Sequence, residues 1–552
     1  MPILSLAVRP AWRLPRLSLP TLRPEALTLL TSLFFLLLCN GPFWRHLYTV
    51  APPEHAAQWA AWAVAFVVLL LVFNLLLTLF AWRWVLRPVV SLLLLLTAVV
   101  AYFMNQYGVM IDAGMVQNAL QTDAGETRDL LSGKLLAYLL LLGVLPGWLA
   151  WRVPLAWRPW PREVLSKLVI ASGSLCLIVA CALLHYPTFA TVVRNHRELR
   201  LLLAPTNYIQ ATHRYVRGQF KRPRQLLAIG TDARLSAAWA GHARKSLTVI
   251  VVGETARADH FGLNGYSRDT TPQLARVAGL ISFGNFWSCG TETAVSVPCM
   301  FSDLGRERHG SESAGARESL LDVLQRAGLA VSWRDNQSGC KGVCDRVPQE
   351  ARVADARWCR DGACLDEALL VGLDERLARL DRDSVLVLHM MGSHGPAYAK
   401  RYPSRLGLFQ PACATSQLDR CSQQDIINAY DNSLRYTDEV LAKLIATLAR
   451  HDDRVDAAMF YLSDHGESLG EHNLYLHGTP YLFAPDGQKH VPALAWLSDG
   501  YQREFGVDAA CLRARRNRPY SHDNLFHSML GLLGVSTRAY DARLDLFAAC
   551  RR

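Results

Sequence analysis

Five apolar runs, at roughly 27–47, 59–81, 88–106, 134–151 and 167–186, occupy most of the first third of the chain. A helix crosses a hydrocarbon core of about 30 Å with about 20 predominantly apolar residues. Each run approaches that length, so residues 1–187 are expected to form a five-span helical transmembrane domain. The fourth run is the shortest and holds Gly143 and Pro146. Arg9, Arg13, Arg16 and Arg23 precede the first run, and no small-residue cleavage site follows, which argues against a cleaved signal peptide.

Loop charges orient the spans. Arg83 and Arg87 lie between the second and third runs, and Arg152, Arg158, Arg162 and Lys167 between the fourth and fifth, on the same side as the N-terminal arginines. The opposite loops carry Glu54, Asp112, Asp123, Glu126 and Asp129. The N-terminus is therefore expected in the cytoplasm, and an odd number of spans places everything after about 187 outside. The net charge of +11 suits an anionic membrane surface. No nucleic-acid motif accompanies it, and no nucleic-acid partner is expected.

Ten of the 13 cysteines follow residue 288, mostly in close pairs: Cys289/Cys299, Cys340/Cys344, Cys359/Cys364 and Cys413/Cys421, which leaves Cys511 and Cys550 for each other. Spacing does not determine connectivity, and cysteine-based zinc clusters are the alternative. None of these pairs has the C-x₂-C spacing. Disulfides are favoured, and with them a periplasmic or extracellular compartment.

Residues 188–245 read as a basic linker with amphipathic helices bridging to the soluble domain, with Arg194, Arg197, Arg200, Arg214, Arg217, Lys221, Arg222 and Arg224 among apolar residues. In the loop between the third and fourth runs, Asn118, Thr122 and Glu126 recur at a spacing of one helical face. That face either lines a headgroup pocket or is the solvated side of an interfacial helix.

From 246 to 552 the pattern becomes α/β. Strands are expected at 247–252, 330–333, 384–388, 457–462 and 491–497, with helices at 316–327, 365–380 and 425–450, around a largely parallel sheet. Ligand sites in such sheets lie beyond the carboxyl ends of the strands. Glu254, His394, Asp464, His465 and His477 all follow strand ends. Glu254, Asp464 and His465 are oxygen and nitrogen donors of the kind zinc takes. The loop Cys289–Cys299 holds two hydroxyls, Thr291 and Thr293, either of which zinc could activate as a nucleophile toward phosphorus. His394 and His477 would act on phosphate oxygens or protonate a leaving alkoxide, and Ser338 and Lys341 would contact the phosphoryl group. Each alone has a plainer reading: a threonine beside a helix is often a cap, and a lone glutamate a surface charge. His522 and His527 read as polar-face or packing residues of an amphipathic helix ended by Gly534.

The runs Val252–Arg257, Cys289–Ser302, Gly392–Tyr398, Asn428–Asn432 and Ser463–Gly470 together resemble the lipid A phosphoethanolamine transferases, which include enzymes of polymyxin (colistin) resistance. The resemblance implies an alkaline-phosphatase/sulfatase-like catalytic domain, with zinc held by Glu254, Thr293, Asp464 and His465. It puts Thr293, not Thr291, at the nucleophile's place. It implies that His394 and His477 face substrate, at positions that in some members can bind a second zinc, that Ser338 and Lys341 touch the phosphoryl group, and that Asn118, Thr122 and Glu126 hold ethanolamine. The implied reaction moves phosphoethanolamine from phosphatidylethanolamine to a phosphate of lipid A through a phospho-threonine, in the bacterial inner membrane; separately, the chain is expected to be a monomer. The cysteine count exceeds that of some members. A core sugar as acceptor, a glycerolphosphate transferase and a sulfatase are the competing enzymes. The last would need a cysteine or serine where Thr293 stands. A catalytically silent receptor for anionic lipid is the non-enzymatic alternative.

Overall fold

The computed structural model describes residues 19–122, 124–184, 192–220, 225–240, 242–309, 317–350, 355–360 and 363–551. Contacts divide them into two units: one from the described residues of Met1–Tyr102, Lys134–Leu199 and Leu203–Pro205, the other from those of Phe103–Gly133, Arg200–Leu202 and Thr206–Arg552.

Four helices, Gln58–Leu79, Leu86–Tyr107, Gly133–Arg152 and Trp160–Leu184, are long and apolar enough to cross a bilayer. The run expected at 27–47 is not one helix. It is a pair, Pro24–Cys39 and Gly41–Val50, bent by 62°. Pro42 has no N–H to continue the helical ladder. Asn40, fully buried at the break, donates to the carbonyls of Phe35 (2.9 Å) and Ala204 (2.7 Å) and accepts the Ala204 N–H (2.8 Å). Its buried amide thus supplies hydrogen bonds where the ladder stops. In the fourth span, Leu139–Val144 is π-helical just before Pro146, and the Leu145 N–H reaches back to Leu140. The fifth helix starts earlier than expected, at Trp160, so Lys167 is not a loop charge. It is buried in the helix and paired with Glu163 at 2.5 Å.

The second unit is built on a seven-stranded mixed sheet. In chain order its strands are β1 (Lys245–Gly253), β2 (Ile281–Phe283), β3 (Ala330–Asp335), β4 (Gln349–Glu350), β5 (Ser384–His389), β6 (Val455–Ser463) and β7 (Ala493–Leu497). The spatial order is β2-β7-β6-β1-β5-β3-β4. Pairings from β6 through β4 are parallel, while β7 runs antiparallel to both β6 and β2.

Strand β1 shows why the centre reads as unbroken apolar sequence. Successive side chains point to opposite faces. Leu247, Val249 and Val251 pack with Leu441, Leu444 and Leu448 of the helix Gln423–Ala449. Ile250 and Val252 pack on the other face with Phe526, Met529 and Leu530 of the helix Asp523–Leu532. Each such side chain contributes roughly 1.5–3 kcal/mol on burial. The helix expected at 365–380 is split into a 3-10 turn, Asp366–Leu370, and a short helix, Leu373–Ala378. Gly372, at φ +76°, separates them in a conformation other residues rarely adopt. Strands β2 and β4 are too short to leave a periodic signal.

Register sets the site. Ser463 pairs with Gly253, Val252 with His389, and His389 with Asp335. Four neighbouring parallel strands therefore end together, and the residues that follow them, Glu254, Met390, Asp464 and Asn336, emerge along one edge.

Candidate active site

Glu254, Asp464 and His465 meet at this edge. All three are buried, and one ligand atom of each lies within 4.8 Å of the others. The His465 Nδ1 hydrogen bonds to the carbonyl of Gly466 at 2.8 Å, which leaves Nε2 facing Glu254 Oε1 at 3.4 Å and Asp464 Oδ2 at 3.3 Å. Asp464 Oδ1 accepts the backbone N–H groups of Thr255 (3.2 Å) and His465 (2.7 Å), whereas Oδ2 has no hydrogen-bond partner among the described residues. Burial holds His465 well below the usual histidine range and raises Asp464.

The helix Thr293–Met300 delivers the hydroxyl. Thr293 Oγ1 lies 3.2 Å from Glu254 Oε2 and 3.4 Å from His465 Nε2. Thr291, two residues earlier, points elsewhere and donates to the carbonyl of Thr479 at 2.6 Å. The loop before the helix is closed by the Cys289–Cys299 disulfide, and the Gly290 N–H is held by Ser296 Oγ at 2.9 Å. The remaining pairs are Cys340–Cys344, Cys359–Cys364, Cys413–Cys421 and Cys511–Cys550. A second acid–cysteine cluster, Cys289, Cys299 and Asp523, has its sulfurs in that disulfide and offers no thiolate to a metal.

The donor set of Glu254, Asp464 and His465 fits a divalent, zinc-type ion. Two buried carboxylates side by side cost several kcal/mol each without a cation. The imidazole presents a free lone pair, its tautomer set by Gly466, and the Thr293 hydroxyl completes four donors.

His394 and His477 flank the cluster: their rings are 5.3 Å apart, and the His477 ring is 4.4 Å from that of His465. Burial lowers the pKa of His477, but Glu467, 3.1 Å from its Nδ1, and the nearby Asp464 and Glu292 raise it above the usual value. Lys341 donates to Ser338 Oγ at 2.8 Å, on the loop after β3. Lys341 itself sits at φ +53° between Gly339 and Gly342, both also at positive φ.

Three residues of the site escape sequence reasoning. Gln337, beside Ser338, donates to Glu254 Oε2 at 2.8 Å. Glu467 is fully buried and pairs with His477. Glu292, between the two threonines, accepts a hydrogen bond from Asn118. Only proximity to residues already singled out could have flagged them.

Asn118 lies in the helix Ala113–Gln121, whose N-terminus is capped by Asp112 accepting the Met115 N–H. The single helical face expected for Asn118, Thr122 and Glu126 does not form. The helix stops at Thr122, whose ψ is 130°, and a separate helix begins at Ala124. Thr122 donates both its N–H (2.9 Å) and its hydroxyl (2.7 Å) to the Asn118 carbonyl, which closes the last turn of the helix. Glu126 lies in the second helix, and its side chain is outside the described residues. The basic linker contains the helix Thr206–Gln219, with Asn207, Tyr208 and Ala211 buried; Lys221, Arg222 and Arg224 are outside the described residues.

His522 and His527 are both buried, and His522 is no surface residue of its helix. It precedes the helix Asp523–Leu532 and bridges two segments of the site.

Residues 246–535 match the sulfatase family, and residues 69–220 match the phosphoethanolamine transferase EptA/EptB family. The chain is 40% identical over 539 residues to phosphoethanolamine transferase EptA of Escherichia coli K12, covering 97% of this chain and 98% of that protein. It is 39% identical over 469 residues to phosphatidylethanolamine transferase Mcr-1 of Escherichia coli, covering 83% and 85%. The solved structure of the integral membrane lipooligosaccharide phosphoethanolamine transferase A from Neisseria meningitidis superposes with a TM-score of 0.93 at 36% identity, covering 97% of this chain and all of that one.

Proposed function

The chain belongs to the phosphoethanolamine transferase family, and on that footing we propose that it transfers phosphoethanolamine from phosphatidylethanolamine to a phosphate of lipid A. The observation that carries this reading is the Thr293 hydroxyl, 3.2 Å from Glu254 beside the buried Asp464 and His465.

Glu254, Asp464, His465 and Thr293 would hold zinc. When bound, zinc lowers the cost of a threonine alkoxide and draws charge from phosphoryl oxygens. The chain's own groups do the rest. Thr293 Oγ1, its proton directed at Glu254 Oε2, attacks phosphorus as the bond to diacylglycerol breaks. His394 or His477 protonates the leaving diacylglycerol oxygen. Lys341 and Ser338 orient the phosphoryl group, and Asn118, Thr122 and Glu126 the ethanolamine. Phosphoethanolamine remains esterified to Thr293. A lipid A phosphate oxygen then attacks the same phosphorus, the acceptor's proton restoring the histidine, the bond to Thr293 breaks, and the proton taken by Glu254 returns to Oγ1. Pinning of the loop by the disulfide keeps the hydroxyl aligned through both steps.

The product gains an ammonium and loses net negative charge, which weakens binding of polymyxin and other cationic peptides. The basic loop arginines support an inner-membrane protein with a cytoplasmic N-terminus and a periplasmic catalytic domain over 246–552, joined by 188–245 to spans within 1–187.

Mass spectrometry of lipid A from cells producing wild type or Thr293→Ala tests the reading. Wild type adds a phosphoethanolamine increment that the variant lacks. Identical spectra without the increment would sink it, and an increment on core sugars instead would reassign the acceptor.

A further inference from the structure

The side chain of Glu292 occupies the N-cap position of the helix Thr293–Met300 but does not cap it. It turns instead toward the helix Ala113–Gln121 and accepts a hydrogen bond from Asn118 Nδ2. The surrounding backbone is shaped to receive it. A Cβ on Gly114 would come 2.4 Å from Glu292 Oε1. A Cβ on Gly478 would lie 3.6 Å from Glu292 Oε2 and 3.7 Å from Asn118 Nδ2. Two glycines thus line the carboxylate with backbone only.

The charge here is unbalanced. Glu292 is buried, and among the described residues no lysine, arginine or histidine nitrogen lies within ion-pair distance of it. Asp112, at the start of the neighbouring helix, adds a second acidic group, repelling Glu292 and itself attracted by Arg214. His477 acts on Glu292 only at longer range. A buried carboxylate with one amide donor is costly unless a cation completes it.

We propose that Glu292 is a specificity-determining residue that receives the donor's primary ammonium while its phosphorus is attacked by Thr293. The inference rests on the phosphoethanolamine-transfer reading and deepens it. Glu292 Oε2 lies 3.6 Å from a Cβ placed on Gly478, the residue after His477, whose ring is 4.4 Å from that of His465, and His465 Nε2 is 3.4 Å from Thr293 Oγ1. The carboxylate thus borders the same cluster as the nucleophile, and a donor whose ammonium and phosphate are joined by a short two-carbon bridge suits that arrangement. Asn118 joins this subsite because its amide is bonded to the carboxylate. A compact –NH₃⁺ can donate to Glu292 between Gly114 and Gly478. A methylated ammonium loses donors and meets those backbone walls.

The test compares wild type with Glu292→Gln and Glu292→Asp, as full-length enzyme in detergent. The donors are phosphatidylethanolamine and its N,N-dimethyl analogue. Binding of free ethanolamine against choline, followed by saturation-transfer NMR, gives a readout independent of turnover. Glu292→Gln keeps the shape and an acceptor for Asn118 but removes the charge. It is expected to raise KM for phosphatidylethanolamine at least tenfold, to lose most discrimination against the dimethyl donor, and to lose the ethanolamine signal. Bound metal per chain stays unchanged. Glu292→Asp keeps the charge and retains part of the discrimination. Wild-type KM, donor preference and ethanolamine binding in Glu292→Gln would overturn the proposal. If wild type itself forms no adduct from phosphatidylethanolamine, the underlying transfer reading fails instead.

Discussion

His522 accepts the backbone N–H of Cys289 on Nδ1 at 3.0 Å, while its Nε2 donates to the carbonyl of Ser463 at 2.9 Å. One buried imidazole thus ties the loop that carries Thr293 to the strand end that carries Asp464 and His465. Both bonds require the neutral ring with its proton on Nε2. Burial provides that state by pushing the His522 pKa down to about 4.

Replacing His522 with Phe keeps the ring's bulk and strands a buried N–H and a buried carbonyl, at about 1–3 kcal/mol each. His522→Phe is expected to lower the denaturation midpoint and to reduce kcat at least tenfold with little change in KM. His522→Gln, with an acceptor and a donor at its tip, recovers part of both. A purely packing role predicts lost stability with wild-type kcat per folded enzyme.

The pH dependence follows from the same ring. The folded-state pKa of about 4 lies below the ordinary 6.5, so the unfolded chain binds the extra proton between those values. The stability contributed is full above pH 6.5 and falls as pH drops toward 4. Denaturant titrations across this window are expected to show a smaller acid loss for His522→Phe than for wild type. Equal slopes for the two proteins would contradict the assignment.

The two threonines have different tasks. Thr291 spends its hydroxyl on the Thr479 carbonyl, and Thr293 directs its own at Glu254. Incubation with phosphatidylethanolamine followed by peptide mass spectrometry is expected to place the adduct on Thr293 in wild type and in Thr291→Ala. Thr291→Ala loses about 1 kcal/mol of stability and keeps most turnover. Thr293→Ala yields no adduct, and Thr293→Ser yields one more slowly. An adduct on Thr291 would reverse the roles.

Metal removal bears on Glu254, Asp464 and His465 together. Chelation is expected to abolish transfer and to lower stability by about 3–4 kcal/mol if the ion had been present at 100–1,000 times its Kd. Zinc addition restores both. Asp464→Asn is expected to weaken metal retention in elemental analysis even when the protein is folded. Full activity after exhaustive chelation would exclude a metal-held nucleophile.

The Cys289–Cys299 link closes a loop with a sequence separation of 10. Replacing both residues with Ser is expected to destabilise the protein by about 2–4 kcal/mol. Turnover falls further than binding, because the Thr293 hydroxyl loses its fixed aim. Unchanged kcat in the double variant would assign the link to stability alone.

Much of the architecture was legible in the chain because it rests on local, repeated signals. Long apolar runs mark the spans, and strand β1 reads as buried because both of its faces are covered. Close cysteine pairs point to the disulfides that form. Glu254, Asp464 and His465 could be grouped because parallel strands bring their carboxyl ends to one edge. Where a local signal met a competing local interaction, the pattern misled. Asn40 and Pro42 break the first apolar run, and the helix that carries Asn118 stops at Thr122, short of Glu126.

The sequence by itself determined which segments are long and apolar enough to cross a bilayer, the five longer strands of the sheet, and that Glu254, Asp464 and His465 gather at its edge. Hydrophobic length and strand period encode those within a few neighbouring residues. Only the tertiary structure decided which threonine faces the acidic cluster, that Gln337 reaches Glu254, that His522 joins two loops, and that Glu292 lies buried against Asn118. Each of these is set by the direction of a side chain across a large sequence separation, and no short-range pattern carries that information.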